Sequence, residues 1–326
     1  MKKIGILGAT GMVGQQFIRL LEQDSEYIVY KLGASEKSAG KRFGTLVPIN
    51  SKCDDFIIVS CKVANFVHCD IIFSALDSSV AGPIEKEFAM AGFPVFSTSK
   101  NWRMHSVVPL CVPYCNPDHL KLVEYQKKQW KCDGFIVTNA NCSTTGIVIV
   151  LKALMEVLTP IKLTVHTMQA VSGAGYPGLS VIDIHDNVIP FIDGEEDKIE
   201  TETLKILGKL NNDSIDAIEL DVMAFCNRVS VLNGHTINML VECHDAISLD
   251  KIKSYLHSKE FIRVLEDPKR PQPRIDREFT MKVSIGRFQL KKPNMLSFCI
   301  VTHNTVLGAA GSSIWNSKEA IKMNLL

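Results

Sequence analysis

A glycine turn between a short apolar strand and a helix constrains the fold of this chain more than any other stretch. Ile4-Gly5-Ile6-Leu7 reads as a buried strand. Gly8-Ala9-Thr10-Gly11-Met12-Val13-Gly14 follows it, and Phe17, Ile18, Leu20 and Leu21 recur at helical spacing. Strand, glycine turn and helix in this order are what a dinucleotide-binding fingerprint requires. Glycine lets the backbone approach a pyrophosphate, and the helix N-terminus receives its negative charge. The spacing is GxxGxxG instead of GxGxxG, so the context carries the reading. Gly8, Thr10, Gly11, Met12 and Val13 are expected against a nucleotide cofactor.

The alternation continues. A second strand, Ile28 to Leu32, ends in Gly33-Ala34-Ser35-Glu36-Lys37-Ser38-Ala39-Gly40-Lys41. NAD enzymes usually place an acid at this strand end to hold the ribose 2′-hydroxyl. Here Ser35, Ser38 and Lys41 offer hydroxyls and a cation, which suit a 2′-phosphate and predict NADP; Glu36 is the one acid against it. Strands at Ile57 to Val59, Asp70 to Ser74 and Pro94 to Ser97, with a helix from Val80 to Ala91, predict a mostly parallel, doubly wound sheet. At 326 residues the chain has room for about two domains. A net charge of +1 with no sustained basic run points away from nucleic acid and anionic membranes, and no apolar stretch is long enough to span a bilayer. Met1-Lys2-Lys3 runs directly into a strand instead of a signal peptide, and ten cysteines in such a chain are expected to stay reduced. The expected location is the cytoplasm.

The second feature is a cysteine at another strand-to-helix turn. Phe135 to Thr138 reads as a strand, Asn139-Ala140-Asn141-Cys142-Ser143-Thr144-Thr145-Gly146 follows, and an apolar helix runs to about Leu158. Free N–H groups and the helix dipole at such a turn favour the thiolate, which is the nucleophilic form of Cys142. The same N–H groups are placed to hold an oxyanion. Taken alone, the stretch reads as well as a small half-buried thiol beside a capping Ser or Thr.

Beyond it, a strand from Lys162 to Val171 carries Gln169 near its end and feeds the loop Ser172-Gly173-Ala174-Gly175-Tyr176-Pro177-Gly178. Such a loop can bring backbone against a ligand. Asp193 to Lys198 opens a helix whose early acids suit its dipole. A strand follows from Ala217 to Ala224, then Cys226 to Thr236 with Arg228 and His235. Those two lie an odd number of residues apart, so one straight strand would put them on opposite faces; only a bend, as at Asn233-Gly234, could unite them. A Cys–His pair is a known nucleophile and base, but nine histidines leave the partner open on chemistry alone. Cys111, Cys115 and His119 are spaced by four, yet Pro113 and Pro117 forbid the helix that would converge them, so no metal site is expected. The proline-rich stretch from Asp267 to Arg274 reads as a surface loop. Val301 to Gly311 opens a closing helix whose small residues suggest close packing back toward the first domain.

Together these stretches resemble the aspartate-semialdehyde dehydrogenase family, in its archaeal and fungal branch. The resemblance includes Gly8 to Gly14, Ser38-Ala39-Gly40-Lys41, Asn139 to Thr144, Gln169 to Gly178, Asn187-Val188-Ile189-Pro190, Gly194-Glu195-Glu196-Asp197-Lys198, Arg228 to His235, Arg270 to Arg274 and Asn304 to Gly308. It implies an N-terminal Rossmann-like doubly wound domain plus an α+β catalytic and dimerisation domain, divided as 1–141 with 304–326 and 142–303. It implies NADPH-dependent reduction of L-aspartyl 4-phosphate to L-aspartate 4-semialdehyde and phosphate, an early step toward lysine, threonine and methionine. By the same resemblance Cys142 is the nucleophile, His235 the acid/base and Gln169 the group that orients the acyl carbon. Arg228 grips the α-carboxylate and Glu195 the α-ammonium, while Arg103, Lys198 and Asn141 receive the phosphate. Ser74, Ser172, Gly173 and Asn304 complete the NADP contacts, and the subunit forms a homodimer or homotetramer. Ala140 departs from a proline common in the family's cysteine motif. The competing readings are a malonyl-CoA reductase on the same scaffold and a catalytically silent NADPH-binding sensor.

Overall fold

The computed structural model describes residues 1–176 and 178–326; Pro177, in the loop after Gln169, lies outside the described residues. Strands β1 (Lys2–Leu7), β2 (Tyr27–Ala34), β3 (Val59–Ser60), β4 (Ile71–Ser74), β5 (Pro94–Ser97), β6 (Leu110–Cys111) and β7 (Phe135–Asn139) form the first sheet. Their order is β3-β2-β1-β4-β5-β7-β6, and every neighbouring pair is parallel. Helices α1 (Met12–Leu21), α2 (Phe43–Leu46), α3 (Ser78–Met90) and α4 (Leu122–Trp130) belong to this half. A parallel sheet covered on both faces needs strands apolar on both sides, which is why β4, β5 and β7 are buried throughout. The strand order reverses between β1 and β4, and the crevice at such a switch point is where ligands bind. Gly8 makes that crevice possible. Its φ is +78°, and a Cβ there would lie 2.5 Å from the Ala75 carbonyl oxygen.

Helix α5 (Cys142–Met155) leads into the second half and is apolar almost all round, the signature of a helix buried on every side. It ends three residues short of the predicted Leu158, in a turn before β8 (Pro160–Gln169). Then come α6 (Val181–Ile184), β9 (Val188–Ile189), α7 (Glu195–Ile206), the small hairpin of β10 (Lys209–Leu210) and β11 (Ile215–Asp216), β12 (Asp221–Val229) and β13 (His235–Cys243). The chain closes this half with α8 (Leu249–His257), β14 (Ile262–Leu265), α9 (Pro273–Asp276), β15 (Val283–Lys292) and β16 (Met295–Thr302). The sheet is mixed, in the order β14-β15-β16-β13-β8-β12-β9. Its inner face packs Leu163, Val165, Ile237, Val241 and Ile300 with Ile147, Val148 and Leu151 of α5. The strand expected from Ala217 starts at Asp221 and runs on through Arg228 as one element.

From Thr302 the chain returns to the first sheet through a π-helical turn, Val306–Ala310, and helix α10 (Gly311–Lys322). The Asn139 side-chain amide donates to the Ala309 carbonyl and to Ser313 Oγ, both at 2.7 Å, and Asn316 donates to Asn139 Oδ1 at 3.1 Å. The architecture is therefore a Rossmann-like doubly wound unit joined to an α+β unit. No helix among the described residues is long and apolar enough to cross a membrane.

Candidate active site

A cleft of about 930 Å³ runs between the two sheets, from the glycine turn to Cys142. At one end Gly8, Thr10, Gly11, Met12 and Val13 line it, with Ser35 beyond. Gly11 caps α1 without a side-chain acceptor, and among the described residues no hydrogen bond ties the N–H of Met12 or Val13. Unpaired amides at a helix N-terminus fit a pyrophosphate. Ser38, Lys41 and Ser74 lie outside the lining, whereas Glu36 and Lys62 are part of it. Lys62 pairs with Glu36 at 3.3 Å, so the one acid of this loop has a cation beside it. Sequence reasoning missed Lys62, which is distant in the chain and arrives only through β3.

The cysteine sits where the sequence put it, at the first position of α5, and its surroundings are more specific. Cys142 Sγ lies 3.0 Å from His235 Nε2. Asn141 caps the helix: its Oδ1 accepts from the N–H of Ser143 at 2.9 Å and of Thr144 at 3.3 Å. The expectation that these amides serve an oxyanion is thereby corrected, since the cap already uses them. The Cys142 N–H has no partner among the described residues. Burial also overrides the expected thiolate and pushes the Cys142 thiol up to about 12. Glu195 adds to the rise, while Arg228, Arg103 and Lys198 oppose it.

His235 and Arg228 reach one site by a route that counting along the chain cannot reveal. Strands β12 and β13 are not neighbours; β8 lies between them, parallel to one and antiparallel to the other. The link from Ser230 to Gly234 crosses over the end of β8, where the N–H groups of Val171 and Ser172 donate to Val231 and Leu232. Arg228 is thereby in register with Gln169, and Thr236 with Met168 on the other flank. The Ala170 peptide then fixes both side chains. Its N–H donates to His235 Nδ1 at 3.0 Å, and its carbonyl accepts from Arg228 Nη1 at 2.8 Å. Burial first, and then the Arg228 charge, pull the His235 pKa down to about 3.

Glu195, Lys198, Arg103, Asn141, Ser172, Gly173 and Asn304 all line the same cleft; Gln169 and His235 are buried beneath it. Glu195 Oε1 accepts from Asn141 Nδ2 at 2.7 Å and Oε2 from Lys198 Nζ at 2.6 Å. Burial acts to raise the Glu195 pKa, but Lys198 and the surrounding hydrogen bonds outweigh it and hold the carboxyl below its ordinary value. An ionised carboxylate thus faces the cleft beside Arg228. Asn304 spans two elements, accepting from the Gly234 N–H at 2.9 Å and donating to Ser172 Oγ at 2.8 Å. Cys111, Cys115 and His119 do not converge on a metal geometry. Both ring nitrogens of His119 are engaged, by Asn116 Nδ2 at 2.9 Å and the Gly208 carbonyl at 3.2 Å. Two buried residues of α7 that sequence reasoning passed over, Glu202 and Lys205, bind the loops that carry Asn141 and Arg103. The signal that could have found them was their spacing, seven and ten residues after Glu195 and so on the same helix face.

The chain matches the semialdehyde dehydrogenase NAD-binding domain over residues 3–123 and the semialdehyde dehydrogenase dimerisation domain over residues 151–307. It is 43% identical to an aspartate-semialdehyde dehydrogenase of Schizosaccharomyces pombe, an alignment covering 100% of this chain and 99% of that one. It is likewise 43% identical to the one of Archaeoglobus fulgidus, with 99% of each covered. A crystal structure of aspartate semialdehyde dehydrogenase with NADP from Candida albicans superposes with a TM-score of 0.91 at 39% identity, over 100% of both chains.

Proposed function

The chain belongs to the aspartate-semialdehyde dehydrogenase family, and from that premise we propose that it reduces L-aspartyl 4-phosphate to L-aspartate 4-semialdehyde and phosphate. It is an oxidoreductase with NADP as its cofactor, and its product feeds lysine, threonine and methionine synthesis. Family membership sets aside the malonyl-CoA reductase and sensor readings. The observation that carries the assignment is the Cys142–His235 contact at 3.0 Å, opening into the cleft that begins at the glycine turn.

Cys142 attacks the acyl carbon; the C–S bond forms as the C–O bond to phosphate breaks, and the thiol proton ends on the departing phosphate. NADPH, when bound, supplies the hydride that reduces the thioester. The oxyanion of the resulting thiohemiacetal collapses to release the aldehyde, and the departing sulfur takes the proton of His235 Nε2, which restores the thiol. Met12 and Val13 would hold the pyrophosphate, and Ser35 with Lys62 the 2′-phosphate; Ser38 and Lys41, outside the lining, are left without that role. His235 is the acid/base of the sulfur, giving its Nε2 proton to the sulfur as the aldehyde leaves and regaining one afterwards from solvent, and Gln169, in register with Arg228, orients the acyl group. The guanidinium of Arg228 matches the α-carboxylate as a fork, and the ionised Glu195 meets the α-ammonium. Arg103 and Lys198 receive the phosphate. Asn141 stands beside them, its amide held by Glu195.

The division we propose assigns 1–141 with 304–326 to the nucleotide and 142–303 to catalysis and dimerisation, supported by the return of α10 onto β7. The subunit forms a homodimer and works in the cytoplasm, a location supported by ten cysteines that are all unpaired. The test is NADP reduction by purified protein with L-aspartate 4-semialdehyde, with and without phosphate. The expected outcome is a phosphate-dependent rise in nicotinamide absorbance. Folded, reduced protein that gives none would refute the assignment.

A further inference from the structure

Helix α7 does more than present Glu195 and Lys198. Glu202, one helical face further on and almost wholly buried, holds two partners with its two oxygens. Oε1 accepts from Arg103 Nη1 at 2.9 Å, and Oε2 accepts from the Asn141 N–H at 2.6 Å. The first partner is the guanidinium proposed for the phosphate. The second is the peptide immediately before the nucleophile. One turn later Lys205 Nζ donates to the carbonyls of Arg103 at 2.6 Å, His105 at 2.9 Å and Val108 at 3.1 Å. Arg103 also donates from Nη2 to the Thr98 carbonyl at 2.8 Å, while its Nε, though buried, has no partner among the described residues.

We propose that Glu202 is a positioning residue for the phosphate subsite, fixing the Arg103 guanidinium relative to Cys142 through one carboxylate shared between them. The inference rests on the reading of Arg103 as a phosphate ligand. The physical reason is the shared acceptor. Arg103 stands on the loop after β5 and Cys142 follows β7, the neighbouring strand, so the sheet brings the two segments together but leaves the guanidinium, at the end of a long side chain, to be oriented by its partners. A carboxylate that bonds both it and the Asn141 N–H does so, because charge-assisted bonds are short and directional. Being buried, it also leaves neither donor an alternative partner in water. Lys205 holds the same loop by its carbonyls, so the guanidinium is fixed from both ends of its residue.

Glu202→Gln is the direct probe. The two donors approach different carboxylate oxygens, and in the amide one of these becomes NH2, which confronts whichever donor it faces. The expected result is a phosphate KM raised about tenfold or more, with the KM for L-aspartate 4-semialdehyde and the affinity for NADP changed less than about twofold. Broadening of the 31P resonance of inorganic phosphate reports the same affinity without turnover. A general structural role would shift all these quantities together, and that result would overturn the proposal, as would an unchanged phosphate affinity. The variant made in an Arg103→Ala background decides the route. If Glu202 acts through Arg103, its substitution there has no further effect on phosphate, whereas additive losses would refute it. Should Arg103→Ala alone leave phosphate affinity intact, the reading of Arg103 fails, and this inference with it. Should Arg103→Ala weaken phosphate while Glu202→Gln does not, only the positioning role fails. Lys205→Met keeps most of the buried stem and gives a second test; it is expected to weaken phosphate in the same selective way, and an equal loss of aldehyde affinity would count against the proposal.

Discussion

The chemistry of His235 turns on which ring nitrogen carries the proton. Because Nδ1 accepts from the Ala170 N–H, the hydrogen-bond network assigns the neutral ring its proton on Nε2, the nitrogen 3.0 Å from Cys142 Sγ. A second proton would have to sit on Nδ1 against that amide, and burial and the Arg228 charge independently disfavour the charged ring. The resting pair is therefore a neutral imidazole donating toward sulfur, not a thiolate–imidazolium ion pair. Position matters at this contact, and Gly308 controls it. A Cβ on Gly308 would lie 2.8 Å from Cys142 Cβ and 3.0 Å from its Cα. The cysteine begins a helix buried on nearly every side and cannot give way cheaply. Gly308→Ala is expected to lower kcat by about 10- to 100-fold, since a small displacement of a reacting group costs that much. The measurement is kcat beside the urea unfolding midpoint. A variant with normal kcat would mean the site absorbs the methyl group.

At the scale of elements, legibility followed locality. The glycine turn and the cysteine turn could be read because strand, turn and helix are consecutive in the chain, and each side chain's surroundings come from its own neighbours. Arg228 and His235 could not be united by counting, since alternation describes a single strand and their meeting depends on β8 lying between two others. Asn141 was legible as a residue near the cysteine but not as the cap that removes two amides from the chemistry. Glu202 and Lys205 were not legible, because Arg103, the partner of both, lies 99 residues from the first and 102 from the second. Glu85 shows the same limit on α3. It is fully buried; Oε1 accepts from Ser97 Oγ at 2.7 Å, and Oε2 has no partner among the described residues. Burial raises its pKa to about 7, against smaller opposing effects from Ser74, Ser97 and Arg103. A folded-state pKa above the unfolded one gives stability that is complete below about pH 4.5 and is lost as pH rises through about 7. The loss is on the order of 3 kcal/mol at about 1.4 kcal/mol per unit. Glu85→Gln stays neutral, so it should match the parent near pH 4.5 and exceed its thermal midpoint at pH 8. Equal midpoints at pH 8 would show that Glu85 ionises freely in the fold.

The whole molecule is a pair of sheets whose second member presents an outer face that the described residues leave partly exposed. Across that face Asn238, His166 and Phe225 form one row over β13, β8 and β12, and the rings of His166 and Phe225 stack at 4.6 Å. Met223 and Phe225 are 40% and 42% exposed, and beyond the β9 edge Ile182 is 89% and Phe191 64% exposed. Large apolar side chains gathered on one sheet face mark an interaction surface. The match to a dimerisation domain over residues 151–307 makes a second copy of this chain the occupant we propose for that face, in a two-fold contact through the same patch. Phe225→Glu tests this, because in a two-fold contact one substitution places a charge twice in the same interface. Sedimentation velocity of the parent should give a species of about twice 36.2 kDa, and the variant should sediment as the monomer. Activity should fall with it, because β12 carries Arg228 three residues further along and loses the support of its outer face. A parent that is monomeric at micromolar concentration, or a variant that still pairs, would move the interface elsewhere on the molecule.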